Sequence, residues 1–190
     1  ITTCVFEYDR QHLFVGTDAG LQVYDYDRDE FKNVRCYDLS GKLVPTHVIN
    51  MVRLRSGKIY ACIGGEGVAR VEKKGDRNFV AKITREFNTD DDMSPIQVYE
   101  DRYGTVWVIS SDGHLFKKVR DKIVKVGDVG NFRNMCESSS GRLFVCSFTE
   151  GLYELERDKM RLVRVGDDKS VFNIWSISPW SDGRVFVCSD

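Results

Sequence analysis

Proline is scarce in this sequence, with three in 190 residues, so a disordered, proline-rich linker is excluded. No apolar run approaches the roughly 18 residues of a membrane-spanning helix. Charge of one sign is also lacking: 28 Lys and Arg stand against 29 Asp and Glu, a formal net charge of −1. Nucleic-acid binding usually leaves a basic footprint, so a nucleic-acid partner is not expected. The six cysteines form no CxxC or Cys/His zinc spacing. The histidines His12, His47 and His114 form no His-x-His or HExxH pattern. GxSxG, the P-loop and the dinucleotide fingerprint are absent as well, and Gly64-Gly65-Glu66-Gly67 reads as a turn. No stretch has the period of a credible helix.

What the sequence has is aromatic residues, 3 Trp, 8 Tyr and 11 Phe, and a repeat. The unit is an apolar strand, a polar turn ending in Gly, a strand with a central aromatic, a short polar loop, then Gly and an apolar residue opening a third strand. Its clearest copy runs from Ile96 through Glu100-Asp101, Gly104 and Trp107 to Asp112-Gly113. Other copies carry Gly57, Gly141 and Gly183 at the turn, and Gln11 takes that place in the first. The matching aromatics are Phe14, Tyr60, Trp107, Phe144 and Phe186. Their separations of 46, 47, 37 and 42 residues suit four-stranded propeller blades, which repeat about every 40–50 residues. Apolar residues alternate, as in Leu13 and Val15 or Val106 and Val108, which is a strand period. A fourth strand follows in each unit, as in Phe31–Val34 or Leu162–Val165.

The expected fold is therefore all-β: a β-propeller segment of about four complete four-stranded blades plus the start of a fifth. The predicted blades are residues 1–47, 48–94, 95–131, 132–173 and an incomplete 174–190. The chain starts at Ile1 and stops within what reads as a strand, Phe186–Asp190, so a longer parent is expected. An open arc exposes large apolar faces, which predicts that the rest of the parent or a second copy covers them.

The copy Val98–Val108 resembles the two-component regulator propeller repeat, with its Glu-Asp, Gly turn and apolar-Trp-apolar strand. Phe14–Asp25 is similar to the second half of the same unit. Trp gives way to Phe or Tyr in four of five copies, and the full Glu-Asp stands only at Glu100-Asp101. The resemblance implies two seven-bladed propellers in the periplasmic sensor region of a Bacteroidetes hybrid two-component system. A β-sandwich, a membrane helix and a histidine kinase would follow. It implies oligosaccharide ligands, a homodimer and no catalysis in this segment.

Propellers bind where blade loops converge. The loop between the second and third strands lies on the same side as the inter-blade link. That side would carry Thr17-Asp18, Gly64–Glu66, Ser110–Asp112 and Phe148–Glu150. The links add Pro45–His47, Asp90-Asp91-Asp92, Asn131–Arg133 and Phe172-Asn173. Ten residues before each key aromatic stand Cys4, Asn50, Gln97, Asn134 and Ser176, expected to line the channel. The next residues, Val5, Met51, Val98, Met135 and Ile177, should pack between blades. The amides either hold channel water or read hydroxyls of a ligand.

Arg133 and Trp175 take the neighbouring rim position, which would suit a sugar, although Trp175 and Trp180 packed between blades is the more ordinary reading. Candidate ligand-binding residues are thus Asn50, Gln97, Asn134, Arg133, Trp175, Asp112 and Glu150. The triple-Asp run lacks ordered calcium-loop spacing and reads as a solvated loop. Cys62, Cys146 and Cys188 recur two residues after the aromatic and read as small apolar packing rather than disulfides. No metal or cofactor is expected. A propeller enzyme is the competing function, with Glu66, Asp112 and Glu150 placed for it by location alone. A protein-docking scaffold is another.

Overall fold

The computed structural model describes residues 1–75, 77–87, 93–127, 130–156, 159–163 and 173–189. Asp90, Asp91, Asp92, Arg164, Val165 and Phe172 lie outside them. Among the described residues the only helical piece is a 3-10 turn at Ser181–Gly183, and no helix is long and apolar enough to cross a membrane.

The chain forms eighteen described strands and divides into two compact units, Ile1–Val98 and Tyr99–Asp190. The first unit opens with β1 (Thr2–Glu7), β2 (His12–Thr17), β3 (Gly20–Asp25) and β4 (Glu30–Tyr37). Next come β5 (Val48–Arg53), β6 (Ile59–Ile63), β7 (Gly67–Lys74) and β8 (Asn78–Thr84). Each group is an antiparallel meander in sequence order. The chain crosses into the second unit within β9 (Pro95–Glu100), whose sheet adds β10 (Val106–Ser110), β11 (Leu115–Val119) and β12 (Lys122–Lys125). A further four-stranded sheet comprises β13 (Phe132–Glu137), β14 (Leu143–Ser147), β15 (Gly151–Glu156) and β16 (Lys159–Val163). The last sheet pairs β17 (Ile174–Pro179) with β18 (Val185–Ser189).

The repeat Gly marks a tight turn between first and second strands. Gly57, Gly104 and Gly141 have φ of +79°, +80° and +89°, where a side chain would be strained. Each donates its N–H back three residues, to Leu54, Asp101 and Ser138. The aromatic that follows is buried in each four-stranded meander: Phe14, Tyr60, Trp107 and Phe144 are at most 5% exposed, while Phe186, in the final strand pair, is 55% exposed.

The first two meanders do not stay separate, as stacked blades would. The end of β4 runs past its partner β3 and pairs in parallel with β8, Arg35 with Val80, Cys36 with Ala81 and Tyr37 with Lys82. An eight-stranded sheet results. The small side chains of Cys36 and Ala81, both fully buried, let the two backbones meet there. Val44 then donates its N–H to Cys36 O at 3.0 Å and turns the chain back. Of the apolar inner-strand set, Val98, Met135 and Ile177 are buried and Met51 is half-buried. Val5 departs from expectation at 60% exposed.

The repeating cysteines have a cross-strand reason. Cys62 stands opposite Asn50, Cys146 opposite Asn134 and Cys188 opposite Ser176. In the first sheet the thiol has changed strands: Cys4 stands opposite Gly16, and a Cβ on Gly16 would lie 2.5 Å from Cys4 Sγ. One thiol fills this place in each of these sheets. All six cysteines are free. Burial pushes the thiols of Cys36 and Cys146 up to about 11 and those of Cys62 and Cys136 up to about 12, so these four are protonated and poor nucleophiles at neutral pH.

On the β13–β16 sheet Glu154 lies between two arginines, Arg142 just before β14 and Arg161 on β16. Arg142 grips it with Nε and Nη2 at 2.6 and 2.9 Å, and Arg161 adds a third bond. The Arg142 hydrogen bond, aided by Arg161, holds the carboxyl at about 2, against 4.5 ordinarily. A depressed acid stabilises the fold above its unfolded pKa, and that stability is lost as pH falls. Both guanidinium groups are well exposed, so solvent screening limits the gain to about 1 kcal/mol. Glu154→Gln should therefore lower stability by that amount at pH 7. Urea melts from pH 7 to pH 2 should show the two proteins converging below about pH 4.5; a difference constant with pH would overturn this.

Candidate functional site

In four copies of the repeat the first strand carries a β-bulge close to its start. The register jumps from Thr2 to Cys4, Val48 to Asn50, Phe132 to Asn134 and Ile174 to Ser176. The skipped residues are Thr3, Ile49, Arg133 and Trp175. A bulge leaves one residue out of the ladder and re-aims its side chain, commonly beside a binding site. The rim position read from the sequence is thus a bulge position.

In the second unit two of these residues meet through a third. Arg133 lies with its guanidinium carbon 5.8 Å from the centroid of the Phe148 ring. Phe148 meets Trp175 at 4.4 Å with an interplanar angle of 62°. Trp175 is 53% exposed and Trp180 49%. Phe148 belongs to the β14–β15 loop, anchored by its N–H to Asn131 O at 2.9 Å. Beside it Ser147 Oγ donates to Gly130 O at 3.1 Å. Phe148 is the site residue that the sequence placed on the right loop but did not single out; an aromatic in a polar loop next to a bulge is the signal.

Asn134 has a structural duty. Its Oδ1 accepts the Ile177 N–H at 3.0 Å and the Ser176 hydroxyl at 3.5 Å. It thereby ties β13 to β17 and fixes the strand that bears Trp175. Asp112 is exposed, and its carboxylate accepts from the Ser110 hydroxyl and bridges to His114 Nδ1 at 2.9 Å. Partial burial raises its pKa, but these hydrogen bonds and the His114 charge outweigh that and leave it lowered. Its loop is held close: Gly113, at φ +83°, would place a Cβ 2.4 Å from the Asn131 backbone, and Phe132 N–H donates to Gly113 O at 2.9 Å. Glu150 accepts the Tyr153 hydroxyl at 2.8 Å, and burial together with that bond pushes the phenol up to about 12. Asn50, half-buried on β5, and Gln97, 8% exposed on β9, belong to the first unit. The structure thus brings Arg133, Trp175 and Asn134 together and leaves Asp112 and Glu150 serving their own loops.

A second cleft, of about 290 Å³, opens at the other end of the sheets in the same unit, among Asp101, Tyr103, Trp107, Lys117, Glu137 and Leu155. Its acids are engaged: Asp101 by the turn and by Trp107, and Glu137 by Arg102. Among the described residues no group of three or more His, Cys, Asp or Glu is placed to hold a metal.

No protein-family model matches the chain, and no curated protein matches it. Solved structures do. Two are extracellular domains of hybrid two-component systems of B. thetaiotaomicron, each 18% identical, with TM-scores of 0.68 and 0.57. Each match covers 98% of this chain, which spans only 25% and 31% of those chains. Virginiamycin B lyase from Staphylococcus aureus matches at TM-score 0.63 and 12% identity, covering 96% of this chain and 61% of its own. With the meanders, their turn glycines and the recurring buried aromatic, these likenesses show that the chain has the β-propeller fold, shared with the extracellular domains of hybrid two-component systems.

Proposed function

We propose that this chain is a non-catalytic, ligand-sensing part of the extracellular or periplasmic region of a hybrid two-component regulator. Its ligand is an oligosaccharide, held at the Arg133–Phe148–Trp175 rim. The observation that carries this reading is the pairing of an exposed Trp175 with Phe148 on bulge-fixed and loop-fixed backbone. An aromatic face takes up the apolar face of a pyranose, and neighbouring polar groups set its orientation. A homodimer and a kinase in the same parent chain belong to this reading.

Catalysis by general acid and base needs free carboxylates converging on one point. In the second unit Asp112 and Glu150 are each committed to a neighbour in their own loop, which favours binding over the lyase activity of one fold neighbour. The test is a thermal-shift and titration screen of the protein against oligosaccharides of varied composition. A ligand that binds only the folded state raises Tm by mass action. One sugar class should raise Tm, and Trp175→Ala should abolish that shift without lowering the Tm of the free protein. Turnover of any sugar, or shifts that survive Trp175→Ala, would overturn the assignment.

A further inference from the structure

Resting on that reading of the rim, we infer that its sugar is anionic, a ring bearing a carboxylate or sulfate that Arg133 receives. Arg133 is half-buried, and its Nε is buried with no hydrogen-bond partner. A buried donor left unmet costs free energy that an arriving acceptor restores. Elsewhere in this unit the comparable arginines have acids: Arg102 pairs with Glu137, and Arg142 and Arg161 share Glu154. No described acid pairs with Arg133, and the acids on the neighbouring loops, Asp112 and Glu150, are bonded to His114 and Ser110 and to Tyr153.

The guanidinium is also positioned. The bulge takes Arg133 out of the β13–β14 register, and the Phe148 ring covers it at 5.8 Å. A guanidinium resting on an aromatic ring keeps its N–H edge for a planar or tetrahedral oxyanion, which it meets with two parallel bonds. Trp175, 4.4 Å from Phe148, supplies a stacking surface on the same rim as that charge. The geometry therefore offers one cation beside one apolar platform, which matches a uronic acid or a sulfated sugar better than a neutral hexose.

The experiment titrates the protein with three oligosaccharides of equal length, followed by tryptophan fluorescence: a hexuronate, a sulfated and an uncharged one. Wild type and the variants Arg133→Gln, Arg133→Lys and Trp175→Ala are compared, with matching melts of the free variants as the folding control. At least one anionic sugar should bind and weaken with added salt. Arg133→Gln should weaken it about 30-fold, the loss expected for charge-assisted bonds, and Arg133→Lys should weaken it less. The hexuronate and sulfated arms say which oxyanion is taken, and binding of either one supports the inference. Uncharged sugar bound as tightly as the anionic ones, and unaffected by Arg133→Gln, would overturn the anionic inference while leaving the sugar site standing. No binding by any of the three would overturn both.

Discussion

Truncating Phe14 to alanine should destabilise the protein by about 3–5 kcal/mol, the range for an aromatic removed from a sealed core. Phe14 is fully buried and makes edge contacts with Phe79 at 4.9 Å and Tyr8 at 5.7 Å. Tyr8 and Phe79 touch each other at 4.9 Å as well, so removing the Phe14 ring opens a cavity in a three-ring cluster. Phe79 lies on β8, which reaches the first meander through the parallel pairing with β4, so the surroundings are tied by backbone bonds and collapse poorly. The same substitution at Phe186 is the internal control. It has the same place in the repeat, but at 55% exposure and with one stacked neighbour, Trp180, it should cost less than about 1 kcal/mol. Urea melts of the two variants measure both values; equal losses would show that the repeat position, and not burial, sets the energy.

Asp101→Ser should cost about 2–3 kcal/mol, because one buried carboxylate serves three donors. Its Oδ1 accepts the N–H groups of Tyr103 and Thr105 at 2.9 Å each, closing the Gly104 turn, and its Oδ2 accepts Trp107 Nε1 at 3.0 Å. Serine keeps part of the turn but leaves the indole N–H buried without an acceptor. Combining Asp101→Ser with Trp107→Phe removes the stranded donor, so the double variant should be more stable, by at least about 1 kcal/mol, than the summed single losses allow. The β13–β14 turn already has this combination. There Ser138 Oγ accepts the Arg142 N–H at 3.1 Å, and the aromatic is Phe144. Strict additivity in the double-mutant cycle would sink the idea.

That pair explains why the sequence carries its repeat so unevenly. The Asp and the Trp are a unit: an indole in the core needs an acceptor, whereas Phe144 does not, so both residues change together. Leu54 with Tyr60 is another solution, in which the phenol donates to Glu86 at 2.8 Å. Strand order and the buried aromatics were legible because a period of 40–50 residues and an alternation of two survive such exchanges. The rim was legible in part, since Arg133 and Trp175 stand at equivalent places. The bulge that sets them apart was not, because it is a backbone register shift with no residue type of its own. Asp112 and Glu150 were flagged as loop acids, but residue type does not say whether a carboxylate is already occupied by its neighbours. The joining of β4 to β8 left no pattern either, since backbone edges pair without regard to side chains.

That pairing matters for how the protein behaves among its own copies. A strand at the margin of a sheet displays unpaired N–H and C=O groups, and any extended segment of another molecule can add to it. In the first unit two such margins, at Arg35–Tyr37 and Val80–Lys82, satisfy each other. Each is the other's cap, so along these residues the margin is closed to strand addition and to the cross-β stacking that grows from it.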